Sequence, residues 1–143
     1  MTLVDTSSWI QYLRRDGEEE MKEKVRSLLL DGAAVLCPVV IAELWMGAGS
    51  KKDQDDLTDL SAVLRCLPMS EEVWECSFRL ARICRAKGTP VPSSDLMIAS
   101  CAFSHGVKTL AKDKHFETLE EHRDLVINPN PAIEVKSAPG LPL

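Results

Sequence analysis

The sequence predicts an α/β domain built on a parallel sheet with helices on both faces. Short strand-like runs alternate along the chain with longer helical stretches, which is the order a parallel sheet requires. The run Ala33 to Leu36 is wholly apolar, as a strand covered on both sides is, and the stretch Leu96 to Phe103 is almost wholly apolar, as a central helix is. A chain of 143 residues, 45% hydrophobic and 27% charged, has the size and composition of one domain with a single core.

Leu3-Val4 opens the chain as a short strand, and Ser7 or Ser8 is placed to cap a helix through Trp9, Ile10 and Leu13. From Gly17 to Asp31, acids in the first turn, apolar residues at Met21, Val25, Leu28 and Leu29, and a glycine stop spell an amphipathic surface helix. After the Ala33 to Leu36 strand, Pro38 pre-sets the first turn of a helix running to Gly47. Ser50 to Arg65 and Ser70 to Lys87 are two more helices, the second with Val73, Ser77, Leu80, Ala81 and Cys84 along one face. Cys66 to Met69 between them reads as a short strand. Pro90 and Pro92 break the chain, Ser93 or Ser94 caps the apolar helix, and Gly106 stops it. Val107 to Leu110 is strand-like, Asp113 opens a short helical segment, and Leu125 to Ile127 is expected as a last strand. Residues 1–129 are expected to form the domain and 130–143 a Pro-rich tail over the surface, partly disordered.

The amino terminus, MTLVDTSSWI, has no basic leader, and the uncharged run Ala33 to Ala42 is too short for a bilayer and is interrupted by Pro38. The expectation is a soluble, cytoplasmic protein without a membrane partner. Five cysteines without a C-x-x-C pair read as reduced core residues. A net charge of −5 argues against a protein that coats nucleic acid through a basic surface, but not against an enzyme that meets phosphates through a metal.

Three carboxylates stand alone in uncharged surroundings. Asp5 is the only charged residue from Met1 to Leu13, Glu43 from Ala33 to Ser50, and Asp95 from Gly88 to Ser104. A charge drawn into apolar surroundings is costly unless it is paired or binds a cation, and none of the three has a Lys or Arg near it in sequence. Asp5 follows the first strand, Asp113 follows the Val107 to Leu110 strand, and Asp95 lies in the first turn of the buried helix. Ligands of open α/β sheets gather at the carboxyl ends of the strands, where these acids fall. Asp5 and Asp113 also fit helix caps, and Asp95 fits a charge that complements a helix dipole. Glu43 is too far into its helix to cap it, and its neighbours Val39, Val40, Leu44 and Gly47 turn it inward.

The segments VDTSSWI, VVIAELWMGA, SSDLMIASCA and TLAKDKHFETL resemble, in order and approximate spacing, the four acidic motifs of the PIN domain as found in the VapC ribonuclease toxins. The resemblance spans about Thr2 to Pro129. It implies a three-layer PIN-like sandwich and a metal-dependent endoribonuclease, the toxin of a type II toxin–antitoxin pair. It further implies Asp5, Glu43, Asp95 and Asp113 as catalytic metal-binding acids, Thr6 or Ser7 in a secondary role, a cognate antitoxin protein that covers the acidic pocket, and a homodimer. The chemistry follows from the donors. Oxygen ligands suit Mg²⁺ or Mn²⁺, whereas zinc favours Cys or His partners that the sequence does not line up. Water would then be the nucleophile, leaving a 5′ phosphate and a 3′ hydroxyl.

Among basic residues, Lys112 and Lys114 bracket Asp113 and are the first candidates for contact with RNA phosphate, ahead of Arg14, Arg15, Lys51, Lys52, Arg82 and Arg85. His105 and His122 read as surface or helix-end residues, and His115, two residues past Asp113, as part of a solvated loop by default, with approach to the acidic site as the alternative. Trp45, Met46 and Trp74 are candidates for partner contact. Two other readings share the acids: a non-catalytic PIN-like module that binds RNA or protein, and an acidic-site phosphohydrolase. The second usually needs an Asp nucleophile in a D-x-D arrangement, and Asp5 is followed by Thr6 and Ser7.

Overall fold

The computed structural model describes residues 1–129. Three parallel strands, β1 (Thr2–Val4), β2 (Ala34–Val35) and β3 (Lys108–Leu110), pair in the order β2-β1-β3. Leu3 lies opposite Val35 on one side and Thr109 on the other, so β1 is central and buried. Around the sheet lie α1 (Thr6–Leu13), α2 (Glu19–Leu30), α3 (Pro38–Met46), α4 (Lys51–Val63), α5 (Glu71–Lys87), α6 (Ser93–Ser104), α7 (His115–Glu120) and α8 (Arg123–Ile127).

The core is continuous from Leu3, Val4 and Trp9 through Val25, Leu36, Val40 and Leu80 to Ile98, Phe103 and Leu119, all buried. The apolar run in α6 behaves as its composition requires: every residue from Ile98 to Phe103 is buried. α5 packs against it through Val73, Ser77, Leu80 and Cys84, and ends at Gly88, whose φ of 65° a residue with a Cβ would adopt only under strain. Ala81 is exposed, so it does not share that face. Cys37, Cys76, Cys84 and Cys101 are buried free thiols, as expected, while Cys66 is exposed.

Four local expectations are corrected. Asp5, not Ser7 or Ser8, caps α1, because the chain turns helical at Thr6 and leaves the serines inside the first turn. Pro92 occupies the cap of α6 for the same reason, and neither Ser93 nor Ser94 caps it. The segment Cys66 to Met69 is not a strand: one parallel bridge, Leu36 to Cys66, is all the pairing it makes. Leu125 to Ile127 is helical, within α8. There Val126 is buried while Leu125 and Ile127 are exposed, and Val126 donates its N–H to the His122 carbonyl at 3.2 Å. Residues 130–143, expected as a tail, lie outside the described residues. No helix among the described residues is long and apolar enough to cross a membrane.

Candidate metal centre

Parallel pairing sends all three strands out of the sheet on one side, and each is followed there by a segment that carries an acid. β1 runs directly into Asp5, whose amide donates to the Leu110 carbonyl at 2.9 Å and so ties the end of β1 to the end of β3. Asp5 is 3% exposed. Its Oδ2 accepts from the Ser7 hydroxyl at 2.7 Å and the Ser7 amide at 3.2 Å. Its Oδ1 is buried and has no partner among the described residues.

β2 leads into α3, where Pro38 sets the first turn and Glu43 falls in the second. Glu43 is half-buried rather than turned fully inward, and its Oε1 accepts from the Thr6 hydroxyl at 2.8 Å. α6 precedes β3 and must deliver the chain to the start of that strand, so its own first turn lies at the carboxyl edge, with Asp95 in it. The Asp95 side chain is 13% exposed. β3 then runs out to Asp113, 40% exposed in its side chain, whose Oδ1 accepts from the His115 amide at 2.9 Å.

Of the two readings the sequence left for His115, a solvated loop by default or approach to the site, the structure takes the second and brings it to the acids. Its Nδ1 lies 3.0 Å from Asp95 Oδ2 and 3.0 Å from Asp113 Oδ1. The donor atoms of Asp95, Asp113 and His115 all fall within 4.8 Å of one another, the one such grouping among the described residues. A histidine nitrogen thus stands beside the carboxylate oxygens that the sequence offered as donors. The available signal was the position of His115 two residues after Asp113, close enough for its amide to donate to the Asp113 carboxylate.

Electrostatics binds the four acids into one unit. Burial raises the Asp5 carboxyl above its usual range against the lowering pull of Ser7, and the charge of Glu43 adds to the rise. Burial likewise raises Asp95, with the charges of Asp5 and Asp113 adding and His115 opposing. Glu43 thus acts on Asp5, Asp5 on Asp95, and Asp113 on Asp95, although the four are scattered over the sequence. Thr6 and Ser7 are drawn in as well, donating to Glu43 and Asp5 respectively. Repelling carboxylates and a buried oxygen without a donor fit a divalent cation, which removes the repulsion and supplies the missing partner.

The basic candidates separate. The Lys112 ammonium pairs with Glu18, and its backbone amide donates to the Ser7 hydroxyl at 3.2 Å. Lys51 and Lys52 pair with Asp55 and Asp56 on α4, and Arg14 with Asp16. Lys114 is exposed beside Asp113. Trp45, Met46 and Trp74 are exposed, as is Phe78, which the sequence reading did not single out.

A model of the PIN domain matches residues 2–121. Ribonuclease VapC11 of Mycobacterium tuberculosis is 32% identical over 126 residues, which span 83% of this chain and 91% of that protein. Two solved structures share the fold at lower identity. FitAcB from Neisseria gonorrhoeae aligns with a TM-score of 0.72 at 22% identity, over 85% of this chain and 94% of that one. VapBC-5 from Mycobacterium tuberculosis, a member of the VapBC family of toxin-antitoxin systems, aligns with a TM-score of 0.63 at 22% identity, over 83% and 90%. The chain belongs to the PIN-domain family, and within it stands with the VapC ribonucleases.

Proposed function

We propose that this protein is an endoribonuclease that hydrolyses RNA phosphodiester bonds with magnesium or manganese held by Asp5, Glu43, Asp95 and Asp113, and that it is the toxin of a toxin–antitoxin pair. The observation that carries the reading is the buried Asp5 carboxylate with an unpartnered oxygen, within electrostatic reach of Glu43 and Asp95. Such an arrangement costs stability in a purely structural role and gains it when a cation binds. The likeness to VapC11, a ribonuclease by its printed name, supports RNA as the substrate.

The side chains divide the work. Ser7 holds Asp5 through one oxygen and leaves the other free to ligate. Thr6 fixes the rotamer of Glu43 from across the pocket. Asp95 and Asp113 close the far side. A bound divalent ion supplies charge for the scissile phosphate and lowers the pKa of the attacking water. The ribose 2′ hydroxyl takes no part in such a hydrolysis, so it serves recognition alone. Lys114, beside Asp113 and exposed, is placed to meet an RNA phosphate; Lys112 reaches one only by releasing Glu18.

An antitoxin protein is the proposed partner, and toxin–antitoxin assembly in the VapBC-5 neighbour supports it. A groove of about 630 Å³ opens beside Glu43, walled by Leu13, Leu44 and Leu57. Trp45 and Met46 stand exposed on the same helix as Glu43. A cytoplasmic location, a homodimer, and a nuclease domain of residues 1–129 followed by a tail complete the proposal.

Purified protein should cut RNA in magnesium or manganese, and chelator or Asp95→Asn should reduce the rate at least about a hundredfold with the fold intact. Cleavage that persists in chelator overturns the metal role. RNA binding without cleavage returns the non-catalytic module, and turnover of small phosphate esters without RNA cleavage returns the phosphohydrolase.

A further inference from the structure

His115 has no role in the set of acids that the four motifs define, yet it is the side chain most closely joined to two of them. Its Nδ1 stands 3.0 Å from an oxygen of Asp95 and 3.0 Å from an oxygen of Asp113. Two donors at right angles on an octahedral ion, each about 2.1 Å from it, are themselves about 3 Å apart. The two separations therefore match the edges of a coordination octahedron as well as they match hydrogen bonds. The neighbouring Asp5 supplies an independent sign that a cation belongs here, since its Oδ1 is buried and unpartnered among the described residues and its charge acts on Asp95.

We propose that His115 Nδ1 is a nitrogen ligand to the cation held by Asp95 and Asp113, and that it tilts the site toward manganese over magnesium. The inference rests on the metal site proposed above and adds one donor to it. Magnesium prefers oxygen donors, keeps its waters and gains little from imidazole, whereas the affinity of a nitrogen-containing site rises through the first transition series from manganese onward. The remaining histidines do not compete for the role. His105 Nε2 lies 3.0 Å from the Pro68 carbonyl, and His122 is buried with its Nε2 3.3 Å from the Thr89 hydroxyl.

The backbone supports the assignment. The His115 amide donates to Asp113 Oδ1, so the loop that carries the acid also fixes the start of α7 and the position of the imidazole. Buried Phe116 anchors the next residue in the core. The His115 side chain itself is 43% exposed, so its replacement should leave the fold intact.

The experiment is pulsed electron paramagnetic resonance on the full-length protein loaded with one equivalent of Mn²⁺, beside calorimetric titrations with Mn²⁺ and with Mg²⁺. Expected is a ¹⁴N coupling to manganese that changes isotope pattern when the histidines are ¹⁵N-labelled and disappears in His115→Gln. His115→Gln should weaken manganese binding about tenfold or more and magnesium binding by less than about threefold. Manganese bound without nitrogen coupling in the natural sequence overturns the inference and leaves the carboxylate site standing, a result that needs no variant. An equal loss for both metals in His115→Gln makes His115 a positioning residue and also overturns it. Failure to bind either metal overturns the inference together with the site.

Discussion

The Thr6 hydroxyl donates to Glu43 at 2.8 Å, joining two residues 37 positions apart across the space between α1 and α3. Thr6 is buried and follows Asp5 directly, so one short segment serves two of the acids. Thr6→Val keeps the shape and removes the donor. It should lower the rate of RNA cleavage about tenfold by freeing the Glu43 rotamer, while costing only about 1 kcal/mol in chemical denaturation. A variant as active as the natural enzyme would show that Glu43 needs no such restraint.

Asp5 and Asp95 both have raised carboxyl pKa values in the fold. A group whose folded pKa lies above its unfolded value favours folding at low pH, and that advantage is lost as pH rises through the folded pKa. Metal-free protein should therefore lose stability relative to Asp95→Asn as pH climbs from the ordinary carboxylate range toward neutrality, and the two should converge near pH 3. At pH 7 a saturating divalent cation should reverse the order and raise the melting temperature of the natural protein by roughly 5 °C or more. Parallel thermal melts across pH, with chelator and with metal, check both halves.

Leu80 is wholly buried on α5, in the layer that packs against α6 and so holds Asp95 in place. Leu80→Ala should cost about 2–5 kcal/mol by chemical denaturation. Cleavage per folded molecule should be nearly unchanged at temperatures where the variant remains folded, which separates support of the scaffold from a part in the chemistry.

Lys114 and Lys112 flank the same acid with different freedom, since Lys112 is paired with Glu18. Lys114→Ala should raise KM for RNA severalfold at nearly constant kcat. It should also reduce the slope of log affinity against log salt by about 0.7, the share of one phosphate contact on a single strand. Lys112→Ala should change the slope less.

The acids of the candidate site were more legible in the sequence than the local structure was. A lone charge in an apolar stretch, as at Asp5, Glu43 and Asp95, is a signal that survives without coordinates because its cost must be met somewhere in the fold. The topology followed from helices long enough to cross between parallel strands. The misreadings share one cause, which is that short segments are decided by their neighbours. Leu125 to Ile127 has strand-like composition, yet one buried face and the backbone bond to His122 make it helical. The serines near Asp5 and Asp95 looked like caps, but the helices begin earlier, and Ser7 puts its hydroxyl on a carboxylate instead. His115 was read as solvated by default because its neighbour Asp95 meets it only through the packing of α6 beside β3.

Anomalous diffraction from crystals of the full-length protein soaked in Mn²⁺ tests the central claim most directly. A manganese peak within coordination distance of Asp5 Oδ1 or Asp95, and in the pocket that Glu43 and Asp113 also face, is the predicted result. Manganese found only at surface carboxylates such as those of α4, with the Asp5 oxygen still unpartnered, would contradict it.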